Sequence, residues 1–426
     1  MVRESRAGTV AAPARRPRGR RTQILLAAAE QFHRRGYHQV AMAEVAAAVG
    51  ITAPALYRHF RGKPELLRQA VRGGLAELGE AVGRASAMAS GRPADGSAPD
   101  GSAPGGGLSG RGLSGGGGPA ALAEALAAVA LDQRALGTLW QRDARLLPTA
   151  QRAELRRTLR GCVRAAARLL TDAKPELADD QAELMVWSAL SVAGSLSYHT
   201  FAPPRRRFER LLAELLLGIF STAPDEPSGE LRGERGLPSA PAGRREELLA
   251  AAVRLFDERG FDNVSTDRLG AAVGIAGPSL YKHFPAKADL LAAALVRCRE
   301  RLWHEVATAL AAPGDPGAVL GHGITAYADF ARRHHHYLGA MVSETERLAD
   351  SDLKSALDFR RDFLRIWVQL LQQVHPEYDK AEARIRVHAM FALVNDGVRQ
   401  PAWRRGEELA PRLEQLARTV LGLRNG

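Results

Sequence analysis

One stretch of this chain is written twice. Residues 21–67 align with residues 245–291 at a constant offset of 224, without a gap, and 21 of the 47 positions are identical. The shared residues include Phe32/Phe256, Gly36/Gly260, Gly50/Gly274, Ile51/Ile275, Pro54/Pro278, Tyr57/Tyr281, His59/His283, Phe60/Phe284 and Lys63/Lys287. A match of that length means a duplicated supersecondary unit, so any fold for the chain must contain the unit twice. Weaker similarity continues downstream, where ALGTLWQRDARLL (135–147) matches YLGAMVSETERLA (337–349) at an offset of 202. The 22 residues of extra length in the first copy fall in SGRPADGSAPDGSAPGGGLSGRGLSGGGG (90–118). That composition cannot bury enough apolar surface to order, and it reads as a flexible loop.

The expected plan follows from the repeat. A basic, disordered tail spans 1–20. A first head spans 21–67 and a first helical body 68–220, interrupted by the loop at 90–118. A linker (221–244) leads to a second head (245–291) and a second body (292–426). The bodies space their apolar residues helically, as at Leu155, Leu159, Cys162 and Val163, or Phe363, Ile366, Trp367 and Leu370. No run alternates as a strand would. The fold class expected is all-α.

Composition narrows the partners. Lysine and arginine number 59 against 47 acids, a net charge of +12. That excess favours a polyanion, nucleic acid before an anionic membrane. Two cysteines, Cys162 and Cys298, cannot build a disulfide framework or a thiolate metal cage, which fits a reducing cytoplasm. The basic N-terminus lacks an apolar stretch of signal-peptide length. The most apolar segment, LLAELLLGIF (211–220), is too short to span a bilayer.

The head reads as helix, glycine turn, helix. In RTQILLAAAEQFHRRGY, Leu25, Ala28 and Phe32 share a stripe that Gly36 ends; Leu248, Ala252, Leu255 and Phe256 repeat it before Gly260. A short alanine-rich helix then runs to Gly50, and another starts near Thr52, the helix-turn-helix arrangement. On that last helix Leu56 and Phe60 point inward. Pro54 sits in the first turn, where a missing N–H costs nothing. Tyr57 and His59 flank the outward face, and Lys63 opens the next helix; Tyr281, His283 and Lys287 repeat them. All six can meet phosphates. The outward residues differ: Ala53, Pro54, Ala55 and Arg58 against Gly277, Pro278, Ser279 and Lys282. Phosphate contacts position a protein while base contacts specify, so the grip repeats and the reading varies.

GITAPALYRHFRGKPELL and GIAGPSLYKHFPAKADLL resemble the DNA-binding signature of TetR-type transcriptional regulators. The resemblance is specific over 21–67 and 245–291, and weak but compatible over 119–220 and 312–423. There the family carries a divergent helical domain for ligand binding and dimerisation. Two complete copies resemble the rarer tandem form. By resemblance, Tyr57, His59, Lys63, Tyr281, His283 and Lys287 contact phosphates. The outward residues face bases, with Ala43 and Asp267 at the start of the preceding helix. The family places Ser or Thr at the N-caps of both short helices. Here the first copy has Ala41 and Thr52 and the second Ser265 and Ala276, so each copy keeps one phosphate-facing hydroxyl, Thr52 or Ser265. Asp267 is repelled by phosphates unless a cytosine amino group meets it.

The remaining features divide between sharp and plain readings. RRPRGRR (15–21) is either an arm for a minor groove or a solvated tail adding non-specific attraction. His334, His335 and His336 diverge by 100° per residue and cannot together hold one ion from a regular helix; no metal or cofactor is expected. No nucleophile-and-base constellation or glycine-rich phosphate loop suggests an enzyme. Most body aromatics read as core. Trp187, Ser191, Ser195, Tyr198 and His199 lie at helical spacing and can line a cavity, with Trp140 in the same body and Phe330, Trp367 and Phe391 in the other. The expected partners are double-stranded DNA and a small hydrophobic effector, lipid-like or an acyl-CoA, and no membrane. An intrachain pseudo-dimer is expected, with a homodimer of tandem chains as the alternative. The expectation is a ligand-responsive repressor reading an asymmetric site, bacterial, cytoplasmic and nucleoid-associated on DNA. A constitutive architectural DNA-binding protein is the alternative.

Overall fold

The computed structural model describes residues 19–90, 117–222, 243–400 and 409–423. Nearly all of the expected tail, loop and linker therefore lies outside the described residues. Every regular element among those described is helical. The chain divides into two compact units, Met1–Ala70 and Val71–Gly426.

The first unit is the first head. It holds α1 (Arg20–Arg35), α2 (Met42–Ala48), α3 (Ala53–His59) and the start of α4 (Lys63–Ala89). Its core is Ile24, Ala28, Phe32, Val45, Leu56, Phe60, Leu66 and Leu67, each fully or almost fully buried. The stripe on α1 thus runs through Ile24 and not the expected Leu25, which is half-buried. From Ala28, Ile24 is one full i−4 step and stays on the stripe, whereas Leu25 rotates to its edge. Gly36 (φ 80°) and Gly50 (φ 67°) take the left-handed turns that end α1 and link α2 to α3; such backbone suits glycine alone.

The second unit begins within α4 and contains α5 (Gly117–Asp132), α6 (Leu136–Thr138), α7 (Thr149–Ala173), α8 (Asp179–Gly194) and α9 (Arg205–Ser221) of the first body. A π-helical turn (Leu139–Asp143) and a 3-10 turn (Ala144–Leu146) follow α6. The second head contributes α10 (Arg244–Arg259), α11 (Thr266–Ala271), a 3-10 turn at Gly277–Lys282 and α12 (Lys287–Leu302). The second body contributes α13 (Thr308–Leu310), α14 (Pro316–Arg333), α15 (His335–Glu344), α16 (Asp350–Val374), α17 (Lys380–Arg399) and α18 (Leu409–Leu421). The second head shares one apolar core with its body: Leu248, Phe256, Leu280 and Leu290 pack with Ala340, Leu348 and Ala356.

The two bodies meet through matching helices. α8 packs on α17 and α9 on α18. Thr222 and Thr419 hydroxyls lie 3.2 Å apart across this seam, and a Cβ on Gly218 would reach the Thr419 methyl at 3.3 Å. Arg207 pairs with Asp379 at 2.6 Å. Inside the seam the His199 and His388 rings stand 5.1 Å apart, and Arg134 donates to the Leu196, His199 and Phe201 carbonyls.

Candidate DNA interface

Each head presents the same frame. Tyr57 and Tyr281 are each 52% exposed, although a tyrosine ring is usually at least partly buried. Neither has an apolar reason to face water. Leu56 and Leu280, their neighbours in sequence, are fully buried and fix the rotation of each recognition segment. That rotation leaves Pro54, Arg58 and His59 exposed in the first copy, and Pro278 and Lys282 in the second. Ala53, Ala55, Ser279 and His283 are half-buried, and Gly277 is buried.

Two arginine pairs hold this frame. Arg20, expected to end the tail, and Arg21, expected to begin the head, open α1. Arg21 donates to the His59 carbonyl at 3.0 Å and lies over the Phe60 ring; Arg245 donates to the His283 carbonyl at 2.8 Å and lies over Phe284. Arg20 donates to the Val49 carbonyl and Arg244 to Val273. Carbonyls at a helix end have no helical partner, and a cation there also meets the negative end of the dipole. The signal was present: Arg21/Arg245 is an identity of the repeat, and Arg20/Arg244 extends it by one position.

The lysines also hold the frame. Lys63 Nζ donates to the His38 carbonyl at 3.2 Å and sits over Tyr37. Lys287 Nζ donates to the Phe261 and Val264 carbonyls at 2.9 and 3.0 Å and sits over Phe261. Burial pulls the Lys287 pKa down. Two of its three protons bond carbonyls and staple the helix start to the preceding loop, which leaves the third for the phosphate expected at this position.

The two heads differ in their caps. Ala41 has no side-chain acceptor, but the Glu44 carboxylate accepts from the Ala41 N–H at 2.7 Å and pairs with Arg35 at 2.7 Å. The first of these bonds, then the second, holds the Glu44 pKa below its ordinary value. In the second head Ser265 Oγ accepts from the Arg268 N–H at 3.2 Å. Each head thus keeps a different half of a capping box. Thr52 occupies the α3 N-cap, and its hydroxyl makes no cap hydrogen bond.

They differ again in the recognition segment. Ala53–His59 is α-helical, whereas Gly277–Lys282 winds as a 3-10 turn against α11. Two glycines permit this close approach. A Cβ on Gly270 would lie 2.6 Å from the Ile275 carbonyl oxygen, and one on Gly277 would land on the Asp267 carboxylate. The first copy has Ala46, Ala43 and Ala53 at the matching places. Asp267, expected to meet a base, is exposed but packs over Gly277.

The pattern of one family, described as bacterial regulatory proteins of the tetR family, matches residues 24–70 and 248–294. Both heads belong to the tetR family. The chain is therefore a tandem form carrying two tetR DNA-binding domains. Among relatives, it is 27% identical over 137 residues to the HTH-type transcriptional repressor KstR2 of Mycolicibacterium smegmatis, covering 32% of this chain and 67% of that protein. It is 42% identical over 102 residues to the HTH-type transcriptional activator FasR of the same organism, covering 24% and 45%. The structure of the ketosteroid transcriptional regulator KstR2 of Mycobacterium tuberculosis covers 43% of this chain and 96% of its own, at 23% identity and a TM-score of 0.38.

Outside the tetR heads, the expected pocket residues separate. Trp187 and Ser191 line a narrow cleft with Ser188, Asp396, Gly397 and Gln400, between α8 and α17 and not inside one body. Burial raises the Asp396 pKa to about 6, against the pull of Arg399. Trp140 and Tyr198 are half-buried. Phe330 and Trp367 are fully buried, and Phe391 stands 4.9 Å from Tyr327 and 5.4 Å from Trp367 between ring centroids. That aromatic cluster lies in the interior of the second body. His336 pairs with Asp257 at 2.9 Å, and no group of three metal-ligating side chains occurs among the described residues. Nor is any described helix long and apolar enough to cross a membrane.

Proposed function

We infer that the chain is a DNA-binding transcriptional repressor that reads one asymmetric site with two unlike heads held by one chain. The tetR matches and the relatives' names as transcriptional regulators support the DNA-binding part. The observation that carries the rest is the pairing of α8 and α9 with α17 and α18, equivalent helices of the two copies joined face to face. Such a seam is what a symmetric dimer builds from two chains. Built within one chain, it frees the heads to diverge, and they have diverged at Arg58/Lys282, Ala55/Ser279 and Ala43/Asp267. Tyr57, His59, Tyr281 and His283 grip phosphates in this reading, with the Thr52 and Ser265 hydroxyls beside them. The outward residues of the two recognition segments meet bases.

Ligand control is the second part of the proposal. Trp367 Nε1 is buried without a hydrogen-bond partner inside the aromatic interior of the second body. An apolar effector with one acceptor oxygen, such as an acyl chain bearing a carbonyl, would satisfy it. Its leverage on DNA binding equals its differential affinity for two head spacings, of which the competent one separates the recognition segments by about 34–36 Å.

The test is selection of a site from a random DNA pool by the full chain, with the mass of the complex measured. One chain on a non-palindromic site is the expected result. Two chains on a palindrome would overturn the intrachain reading. For the effector, melting is followed with long-chain acyl-CoAs; saturation at 100 Kd adds about 2.7 kcal/mol, and no shift across broad apolar chemistry favours a constitutive binder. Acid separately probes the seam. Burial pushes His199 to about 3 and His388 to about 4, so both are neutral when folded. Protonation favours the opened state, and stability is lost as pH falls from about 6.5, the free imidazole value, towards those figures. Asp396, raised to about 6, works the other way over a narrower range.

A further inference from the structure

Helix α7 carries a row of arginines that the DNA-reading heads do not explain. Arg156, Arg160, Arg164 and Arg168 recur every fourth residue, with Arg157 beside them, and all five are exposed. The inward face, Leu155, Leu159, Val163, Ala166 and Leu170, is buried in the first body, so the row cannot rotate away from solvent. None of the five makes an ion pair among the described residues. The row spans about 18 Å at about 6 Å per step, within an arc of about 120°. Like charges four residues apart work against a helix, so the row opposes the stability of its own body. The corresponding helix of the second copy, α16, does the opposite. There Arg361 pairs with Asp358 at 3.0 Å and Arg365 with Asp362 at 3.0 Å.

We propose that this ridge is a second duplex-DNA surface, which grips phosphates independently of the heads. The inference rests on the DNA-binding reading above. The chemistry of the row selects the partner. Every member is arginine, whose planar fork matches phosphate oxygens bidentately, and not lysine. Small residues lie between them, Thr158, Gly161 and Ala165, all exposed. Single-stranded nucleic acid calls for aromatic platforms, and a lipid surface calls for apolar anchors, and this face offers neither. Duplex DNA presents one charge per about 1.7 Å of axis, or about ten phosphates over the length of the ridge, enough for five guanidinium groups.

The experiment titrates the full chain against a long duplex of random sequence over a range of salt concentrations. Three variants accompany the wild type: R156Q/R157Q/R160Q/R164Q/R168Q, the same five positions changed to Lys, and Y57A/Y281A in the heads. The Gln variant is expected to flatten the plot of log K against log salt by about 3–5, at about 0.9 per phosphate neutralised, and to bind the random duplex at least tenfold more weakly. The Lys variant keeps the slope and loses part of the affinity. The head variant loses its selected site yet keeps duplex binding through the ridge. An unchanged slope in the Gln variant overturns the ridge and leaves the heads untouched, and so does loss of all duplex binding in the head variant. A wild type that binds no duplex overturns both readings. The melting temperature of the Gln variant serves as the folding control and should not fall, since five repelling charges are removed.

Discussion

The two heads share a frame and differ in everything laid over it. Both tie the end of the recognition segment to the start of the first helix through an arginine on a histidine carbonyl, Arg21 on His59 and Arg245 on His283. Both staple the following helix through a lysine on a loop carbonyl. Yet one recognition segment is α-helical and the other a 3-10 turn, and each caps its preceding helix with the half of the box that the other lacks. The repeated Arg21/Arg245 and Lys63/Lys287 bond to backbone carbonyls. The altered Glu44 and Ser265 cap the equivalent helix of each copy from opposite ends of the box, so the loss of one is answered by the other.

The tight packing of α11 on its 3-10 turn gives the largest expected asymmetry. Gly270→Ala drives a Cβ to 2.6 Å from a backbone carbonyl that has no rotamer with which to escape. It should cost about 1–3 kcal/mol and shift the second head towards local unfolding, read by amide hydrogen exchange at Leu269, Leu280 and their neighbours. The mirror change, Ala46→Gly, opens no clash and should cost about 1 kcal/mol by lost helix propensity. Equal costs would mean that the two turns are packed alike. Gly277→Ala should also be unfavourable, because its Cβ would stand 3.0 Å from the Asp267 Cα and meet the carboxylate as well. Asp267→Ala should relieve only the carboxylate part.

The arginine ties give an effect of middle size, and here the heads should behave alike. Arg21→Ala and Arg245→Ala each remove one charge-assisted bond to a carbonyl and one ring contact from an exposed side chain. About 1 kcal/mol apiece is expected, with weaker DNA binding because the recognition segment loses its end support. A large effect in one head only would show that the shared frame does not carry equal weight in both copies. Lys287→Met should destabilise the second head while barely changing the salt dependence of DNA binding. A loss of one unit of slope would instead show the phosphate contact expected for it.

Much of the head was legible in the sequence, because periodicity and glycines with positive φ report directly on backbone. The all-α class, the helix-turn-helix order, the inward Leu56 and Phe60 and the outward Pro54 and Arg58 all follow from spacing. Three things were not legible. Arg20 and Arg21 looked like the end of a basic run, since a run of charges does not reveal where a helix begins. Lys63 and Lys287 looked outward because a lysine at a helix start usually is, and nothing local shows that a carbonyl 23 to 26 residues earlier lies beneath. In the bodies, Trp187 and Ser191 had the spacing of a cavity wall. That spacing is equally the spacing of a helix packed on a second copy, and only tertiary structure separates the two.

The caps give the smallest effect and the sharpest contrast, because the halves respond differently to acid. Ser265→Ala removes a neutral acceptor and should cost about 1 kcal/mol at any pH. Glu44 does its work as a carboxylate whose folded pKa lies below the ordinary value near 4.3. A depressed acid binds fewer protons folded than unfolded. Its contribution is therefore complete above the unfolded pKa and is lost as pH falls through the folded one. Protection of the α2 amides against hydrogen exchange should then decline in the first head below about pH 4, while protection attributable to Ser265 in α11 should not follow it. Glu44→Gln should abolish that pH dependence while keeping an acceptor for the Ala41 N–H. If the first head of the Gln variant still loses α2 in acid, the cap is not the titrating element, and the division of one capping box between two copies has no consequence for either.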